Sequence, residues 1–111
     1  RDVDAFCDRL SKLEIQHPGR IFAEEFFPSF GVSARFCAQE LGITPAMLSL
    51  FMNGKRGIGV ELAVKLAKLC GTSPAFWLRG QALYELVTSA QDLSAKLRPI
   101  SPLADRHRKA G

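Results

Sequence analysis

Apolar side chains recur along this chain at three- and four-residue intervals, the spacing that lines one face of an α-helix. Nowhere do they alternate with polar ones as a half-buried strand would require, so the pattern predicts an all-α fold. Over residues 2–16 the apolar positions are Val3, Phe6, Cys7, Leu10 and Leu13, and Asp2 and Asp4 favour the N-terminal end of such a helix. His17-Pro18-Gly19 breaks the pattern. A second helix is expected from Arg20 to about Phe27, with Ile21, Phe22, Phe26 and Phe27 facing inward. Pro28 is expected to end it and Gly31 to turn the chain.

From Ser33 onward the pattern becomes compact. Ser33 is placed to cap a short helix through Leu41, with Cys37, Ala38 and Leu41 inward. Gly42 follows where a tight turn needs a positive φ. Thr44 caps the next helix, with Pro45 at its favoured first position and Leu48, Phe51 and Met52 as the apolar face. Asn53-Gly54 is a stop signal. Lys55 to Gly59 reads as a basic loop.

A strongly amphipathic helix is then expected from Val60 to Cys70, ended by Gly71. Leu62, Val64, Leu66 and Leu69 form its core face, and Glu61, Lys65 and Lys68 its wet side. Thr72 or Ser73 caps a last helix that begins at Pro74 and runs to about Asp92, carrying Phe76, Trp77, Leu78, Leu83, Tyr84, Leu86 and Val87. Pro99, Pro102 and the Arg106-His107-Arg108-Lys109 cluster suit a loosely ordered basic tail. The chain therefore divides into an N-terminal helical extension (1–16), a helical domain (17–92) and a tail (93–111).

Composition narrows the function classes. The 111 residues are 47% hydrophobic and 23% charged, which suits one globular domain and argues against disorder. Charge or glycine interrupts each apolar stretch, so no bilayer-spanning segment is expected. Arg1-Asp2-Val3-Asp4 lacks the order of a secretory signal, and a cytoplasmic protein is the expectation. Cys7, Cys37 and Cys70 are too scattered for a disulfide framework or zinc spacing, and read as small core residues. His17 and His107 stand apart from each other and from any carboxylate cluster. Adjacent Glu24 and Glu25 diverge on a helix, so they are no catalytic pair. No enzyme, cofactor or metal is expected. Residues 1–32 carry four basic and six acidic side chains, net −2; residues 33–111 carry eleven and five, net +6. That asymmetry suits a phosphate-facing surface in the second segment.

Two short helices joined by a glycine turn, Ser33–Leu41 and Thr44–Asn53, have the dimensions of a helix-turn-helix, whose second helix enters the DNA major groove. Further residues support this. His17-Pro18-Gly19-Arg20-Ile21 with Glu24-Glu25-Phe26 resembles the HPGE-I-L-x-E-E-F opening of HigA-type antitoxins, a phage-repressor-like class. The similarity continues through Leu41-Gly42-Ile43, Asn53-Gly54-Lys55-Arg56-Gly57-Ile58 and Ala63-Val64-Lys65-Leu66-Ala67. It closes on Gly71-Thr72-Ser73-Pro74-Ala75-Phe76-Trp77-Leu78, then Gln81 and Tyr84-Glu85-Leu86, against GTSPEFWLNLQ-x-x-Y-D-L. It covers roughly residues 17–87. The resemblance implies a five-helix phage-repressor-like domain, here with an extra N-terminal helix and a C-terminal tail.

It also implies a homodimer that represses its own operon on double-stranded operator DNA and neutralises a co-encoded RNA-cleaving toxin. Asn53 falls at a backbone-positioning contact, and Lys55 and Arg56 in the loop where basic side chains meet phosphate. Ser33 either caps its helix alone or also offers its backbone N–H to a phosphate. Two departures stand out. Ala34 replaces the glutamine frequent at the start of the first motif helix. The exposed face of the second helix carries Thr44, Pro45, Ala46, Ser49 and Leu50, with no bidentate arginine or glutamine reader. Thymine-methyl contacts from Ala46, Leu50 or Thr44 remain open, as does indirect readout. Phe36, Met47 and Leu50 form a candidate exposed apolar patch. A toxin that grips RNA would be small and basic, which makes Asp2, Asp4, Asp8 and Glu14 a candidate docking surface. Two alternatives stand beside this reading: an interaction module that kept the fold without specific DNA recognition, and a stand-alone phage or plasmid regulator.

Overall fold

A computed structural model describes residues 15–97 and 100–104 of the chain. The described residues are helical and contain no strand. The first helical rod consists of α1 (Pro18–Ile21), a π-helical turn (Phe22–Phe26) and α2 (Phe27–Phe30). It is followed by α3 (Ala34–Leu41), α4 (Pro45–Met52), α5 (Val60–Cys70) and α6 (Pro74–Lys96). Glu14–Glu85 form one compact unit, and α6 from Leu86 belongs to a second. The helix expected over residues 2–16 lies outside the described residues, except that Ile15 and Gln16 are non-helical.

His17-Pro18-Gly19 starts a helix rather than merely breaking one. His17 is extended, and its Nδ1 accepts the Gly19 N–H at 2.9 Å. Its carbonyl accepts from the Arg20 and Ile21 N–H groups, and Pro18 needs no acceptor at the first position. Gly19 is required by space. A Cβ there would fall 1.6 Å from the Phe51 carbonyl oxygen, so only a bare backbone lets α1 lie this close to the end of α4.

The expected stop at Pro28 is not observed; the rod continues to Phe30 and ends at Gly31 (φ 66°). A proline inside a regular α-helix lacks its N–H and clashes with the carbonyl four residues back. Here the chain widens by one residue just before it. The Phe27 N–H bonds the Phe22 carbonyl in a π-turn, and Phe26 departs to φ −115°. This lets the helix pass Pro28. The Phe26 carbonyl is satisfied by the Ser29 hydroxyl at 2.8 Å.

The π-turn places Phe22 at the centre of the core. Its ring centroid lies 6.1 Å from Phe27, 6.2 Å from Phe30, 6.1 Å from Phe51 and 6.3 Å from Trp77. All four separations fall in the range of favourable aromatic pairs. Leu41, Leu48 and Leu66 complete the buried set with Cys37, Ala38, Ala63 and Ala67. Burying each large side chain contributes about 1.5–3 kcal/mol.

On two helices the buried face is narrower than the run of apolar positions. On α5 the core face runs through Ala63, Leu66 and Ala67, leaving Val64 outward and 37% exposed, because it sits about a quarter-turn from Ala63. On α6 Trp77 and Val87 are buried, whereas Phe76, Leu83 and Leu86 are exposed. Phe76 stays in the aromatic cluster edge-on to Trp77, with centroids 4.9 Å apart. Between the two candidate caps, Ser73 accepts the Phe76 N–H, while the Thr72 hydroxyl accepts the Trp77 indole N–H at 2.7 Å. In the second unit α6 continues past Asp92 to Lys96, where an Asp92–Lys96 ion pair spans the last turn. Val87 and Ala90 are buried there. The cluster Arg106–Lys109 and the acidic set Asp2, Asp4, Asp8 and Glu14 lie outside the described residues.

Candidate nucleic-acid interface

The α3–turn–α4 corner is built by local caps at both ends of each helix. The Ser33 hydroxyl accepts the Phe36 N–H at 3.1 Å, and the Thr44 hydroxyl accepts the Met47 N–H at 3.1 Å. Between them Gly42 adopts φ 69°. Its N–H bonds the Gln39 carbonyl, and the Ile43 N–H bonds the Ala38 carbonyl, closing α3. Leu48 and Phe51 anchor α4 in the core. The positions Ala46, Ser49, Leu50 and Asn53 occupy its opposite, exposed face at i, i+3, i+4 and i+7 spacing.

All ten residues singled out in the sequence are exposed: Ser33, Ala34, Thr44, Pro45, Ala46, Ser49, Leu50, Asn53, Lys55 and Arg56. Phe36 (48% exposed) and Leu50 (47%) are open to solvent, whereas Met47 is half-buried. The polar groups on the α4 face are partly used. The Asn53 amide Nδ2 donates to the Ser49 carbonyl at 2.9 Å and approaches the Ser49 hydroxyl at 3.4 Å.

Three framework residues hold this surface, and none was visible as such in the sequence. Arg20 donates from Nη1 to the Met52 carbonyl at 3.2 Å, satisfying an otherwise open acceptor at the C-terminus of α4. Its other nitrogen pairs with Glu24, whose carboxyl is held below its ordinary range by hydrogen bonds from Gln16 and then Arg20. Gln81 backs the basic loop: a Cβ at Gly57 would come within 2.9 Å of its Nε2. That nitrogen donates to Glu85 at 2.8 Å, while the Gln81 Oε1 is buried with no hydrogen-bond partner. His17, buried against Tyr84 and Phe51, sits beneath Gly54. Burial holds the His17 imidazole below its ordinary pKa, and the Glu85 charge opposes that shift. Arg35 and Gln39, four apart on the exposed side of α3, line a groove with Ile43 and Pro45. Their i, i+4 polar spacing beside a helix start was the available signal.

Burial, and then Glu40, push the Cys37 thiol up; burial, and then Cys37, push Cys70 up to about 11. Neither offers a thiolate nucleophile near neutral pH. Among the described residues no group of three or more His, Cys, Asp and Glu could hold a metal ion, and no helix is long and apolar enough to cross a membrane.

The helix-turn-helix family model matches residues 30–77, which span α3, α4, α5 and the start of α6. Virulence-associated protein I of Dichelobacter nodosus is 33% identical over 88 residues, covering 79% of this chain and 81% of that protein. The structure of an addiction module antidote protein of the HigA family from Coxiella burnetii is 33% identical. It covers 79% of this chain and all of that one, with a TM-score of 0.66. The chain belongs to the HigA-type family of helix-turn-helix proteins. A further HigA-type neighbour is Pseudomonas aeruginosa antitoxin HigA, solved with the higBA promoter. It is 26% identical with a TM-score of 0.68, covering 79% of this chain and all of that one. Within this family frame α4 occupies the second-helix position of the motif, and Lys55 and Arg56 follow it directly.

Proposed function

We propose that this HigA-type chain is a DNA-binding autorepressor and antitoxin that acts as a homodimer in the cytoplasm and neutralises a co-encoded, RNA-cleaving toxin. The observation that carries the DNA-binding part is the exposed, doubly capped α3–α4 corner with two exposed loop cations at its edge. Each protomer inserts α4 into one major-groove half-site, the two half-sites lying about one helical turn (~34 Å) apart. Lys55 and Arg56 meet phosphates, and the backbone N–H groups at the start of α3 and α4 favour phosphate as well. Self-association is supported by the second unit, where Leu86, Leu93 and Leu97 are exposed at i, i+7 and i+11. The antitoxin role rests on similarity to HigA-type proteins and on the charge asymmetry of the sequence.

The competing reading, an interaction module that kept the fold, is favoured by the exposed Phe36 and Leu50. A two-part experiment separates them. A reporter driven by the promoter of the chain's own gene is to be repressed by the wild-type chain and derepressed by a Lys55→Ala, Arg56→Ala double variant. A small basic protein encoded beside the gene is to co-purify with the chain and lose its ribonuclease activity. An unrepressed reporter removes the repressor, and a neighbour that neither binds nor is inhibited removes the antitoxin.

A further inference from the structure

We infer that α4 reads its DNA through pyrimidine C5-methyl groups, with Ala46 and Leu50 as the reading side chains. The inference rests on the DNA-binding reading above and gives the base chemistry that this chain's surface fits. Residues in the N-terminal part of a recognition helix contact base edges. In the short α4 (Pro45–Met52) the exposed face offers Ala46 in the first turn and Ser49 and Leu50 one turn further on, with Leu50 47% open to solvent. A guanine reader needs a guanidinium or ammonium at such a position, and an adenine reader needs a carboxamide free to both donate and accept. The face has no cation, and its carboxamide, Asn53, stands at the C-terminal cap of α4, away from the first turn and tethered through Nδ2 to the Ser49 carbonyl. Ser49 retains a hydroxyl, which either base edge can accept or donate to and which therefore discriminates weakly.

What remains distinctive is apolar surface at an i, i+4 spacing, flanked by the cations Lys55 and Arg56. That charge suits the duplex and no apolar protein groove. The major-groove feature complementary to an apolar side chain is the C5-methyl, carried by thymine and equally by 5-methylcytosine. Leu50 and Ala46 bury such methyls while the loop cations fix register on the phosphates. Recognition then follows methyl position rather than the hydrogen-bonding identity of the base pair.

The test uses the full chain and synthetic duplexes of its own promoter, with binding read by anisotropy. One set replaces single thymines by deoxyuridine, which deletes only the methyl. A second replaces the same T·A pairs by C·G or by 5-methylcytosine·G. Deoxyuridine is expected to weaken binding about fourfold at each contacted thymine. The 5-methylcytosine duplex is expected to bind near the thymine level, and the C·G duplex near the deoxyuridine level. Leu50→Ala, a change at an exposed position, is expected to erase the difference at its own thymine while leaving the salt dependence intact.

Sequence-specific binding that is equal for thymine and deoxyuridine duplexes overturns the methyl inference alone. Binding that tracks T·A but disappears with 5-methylcytosine makes hydrogen bonding the reader and overturns it too. No salt-sensitive binding to any of the duplexes overturns the DNA reading and, with it, this inference.

Discussion

His17 joins three jobs in one side chain. It caps the first helical rod through Nδ1, packs edge-on to Tyr84 with centroids 4.9 Å apart, and supports Gly54 at the end of α4. The cap requires an unprotonated Nδ1, and burial independently favours the neutral ring. The folded pKa therefore lies below the ordinary value of 6.5. Protons bind the unfolded chain more readily in the interval between those two values. The stability contributed by His17 is thus complete above the unfolded value, falls as pH drops below it, and levels off beneath the folded one. Urea midpoints are expected to decline between about pH 7.5 and about pH 5.5. His17→Asn keeps a side-chain acceptor for the cap but cannot titrate, so its midpoint is lower at both pH values and nearly flat between them. Glu24 and Glu61, also held low, act only nearer their ordinary value of 4.5 and leave that window undisturbed. A slope that survives in His17→Asn would remove His17 as its source.

At the scale of elements, the presentation of α4 depends on its first turn. The Thr44 hydroxyl satisfies one orphan N–H, and Pro45 removes the need for another. Thr44→Ala is expected to cost about 1 kcal/mol of unfolding free energy by urea titration, and Thr44→Ser to restore most of it. An equal loss in both variants would mean that the methyl, not the cap, matters. These elements were the ones most legible in the sequence. Ser33, Gly42, Thr44-Pro45 and Asn53-Gly54 act through bonds to backbone only a few residues away, so their chemistry is written locally. The passage through Pro28 was not legible in this way. It requires a π-turn that makes sense only once Phe22 has Phe51 and Trp77 to pack against, partners that are distant in sequence. Val64 was misplaced for a related reason: an apolar run such as Leu62-Ala63-Val64 fixes the helix but not its phase. The candidate contacts on α4 could be read from spacing, whereas Arg20 and Gln81, which hold the surface from behind, reach across the fold to Met52 and Gly57.

For the whole molecule, the aromatic core around Phe22 and Trp77 supports the corner, and the corner carries the exposed cations Lys55 and Arg56 at one edge of a mostly apolar exposed face. Net positive charge is concentrated after residue 32, in the segment that contains both helices of the motif. A surface of this kind binds duplex DNA through phosphates first and base edges second, so salt must weaken it steeply. The chain is therefore expected to bind its own promoter specifically through the α3–α4 corner. The measurement is fluorescence anisotropy of that labelled duplex, titrated at two salt concentrations with and without excess scrambled competitor. Binding is expected to survive the competitor. The log–log salt slope is also expected to become shallower by about 1.8 in Lys55→Ala and in Arg56→Ala, since each change removes one neutralised phosphate from each half-site of the dimer. Binding erased by scrambled DNA, or a slope unchanged in both variants, would contradict specific binding through the corner.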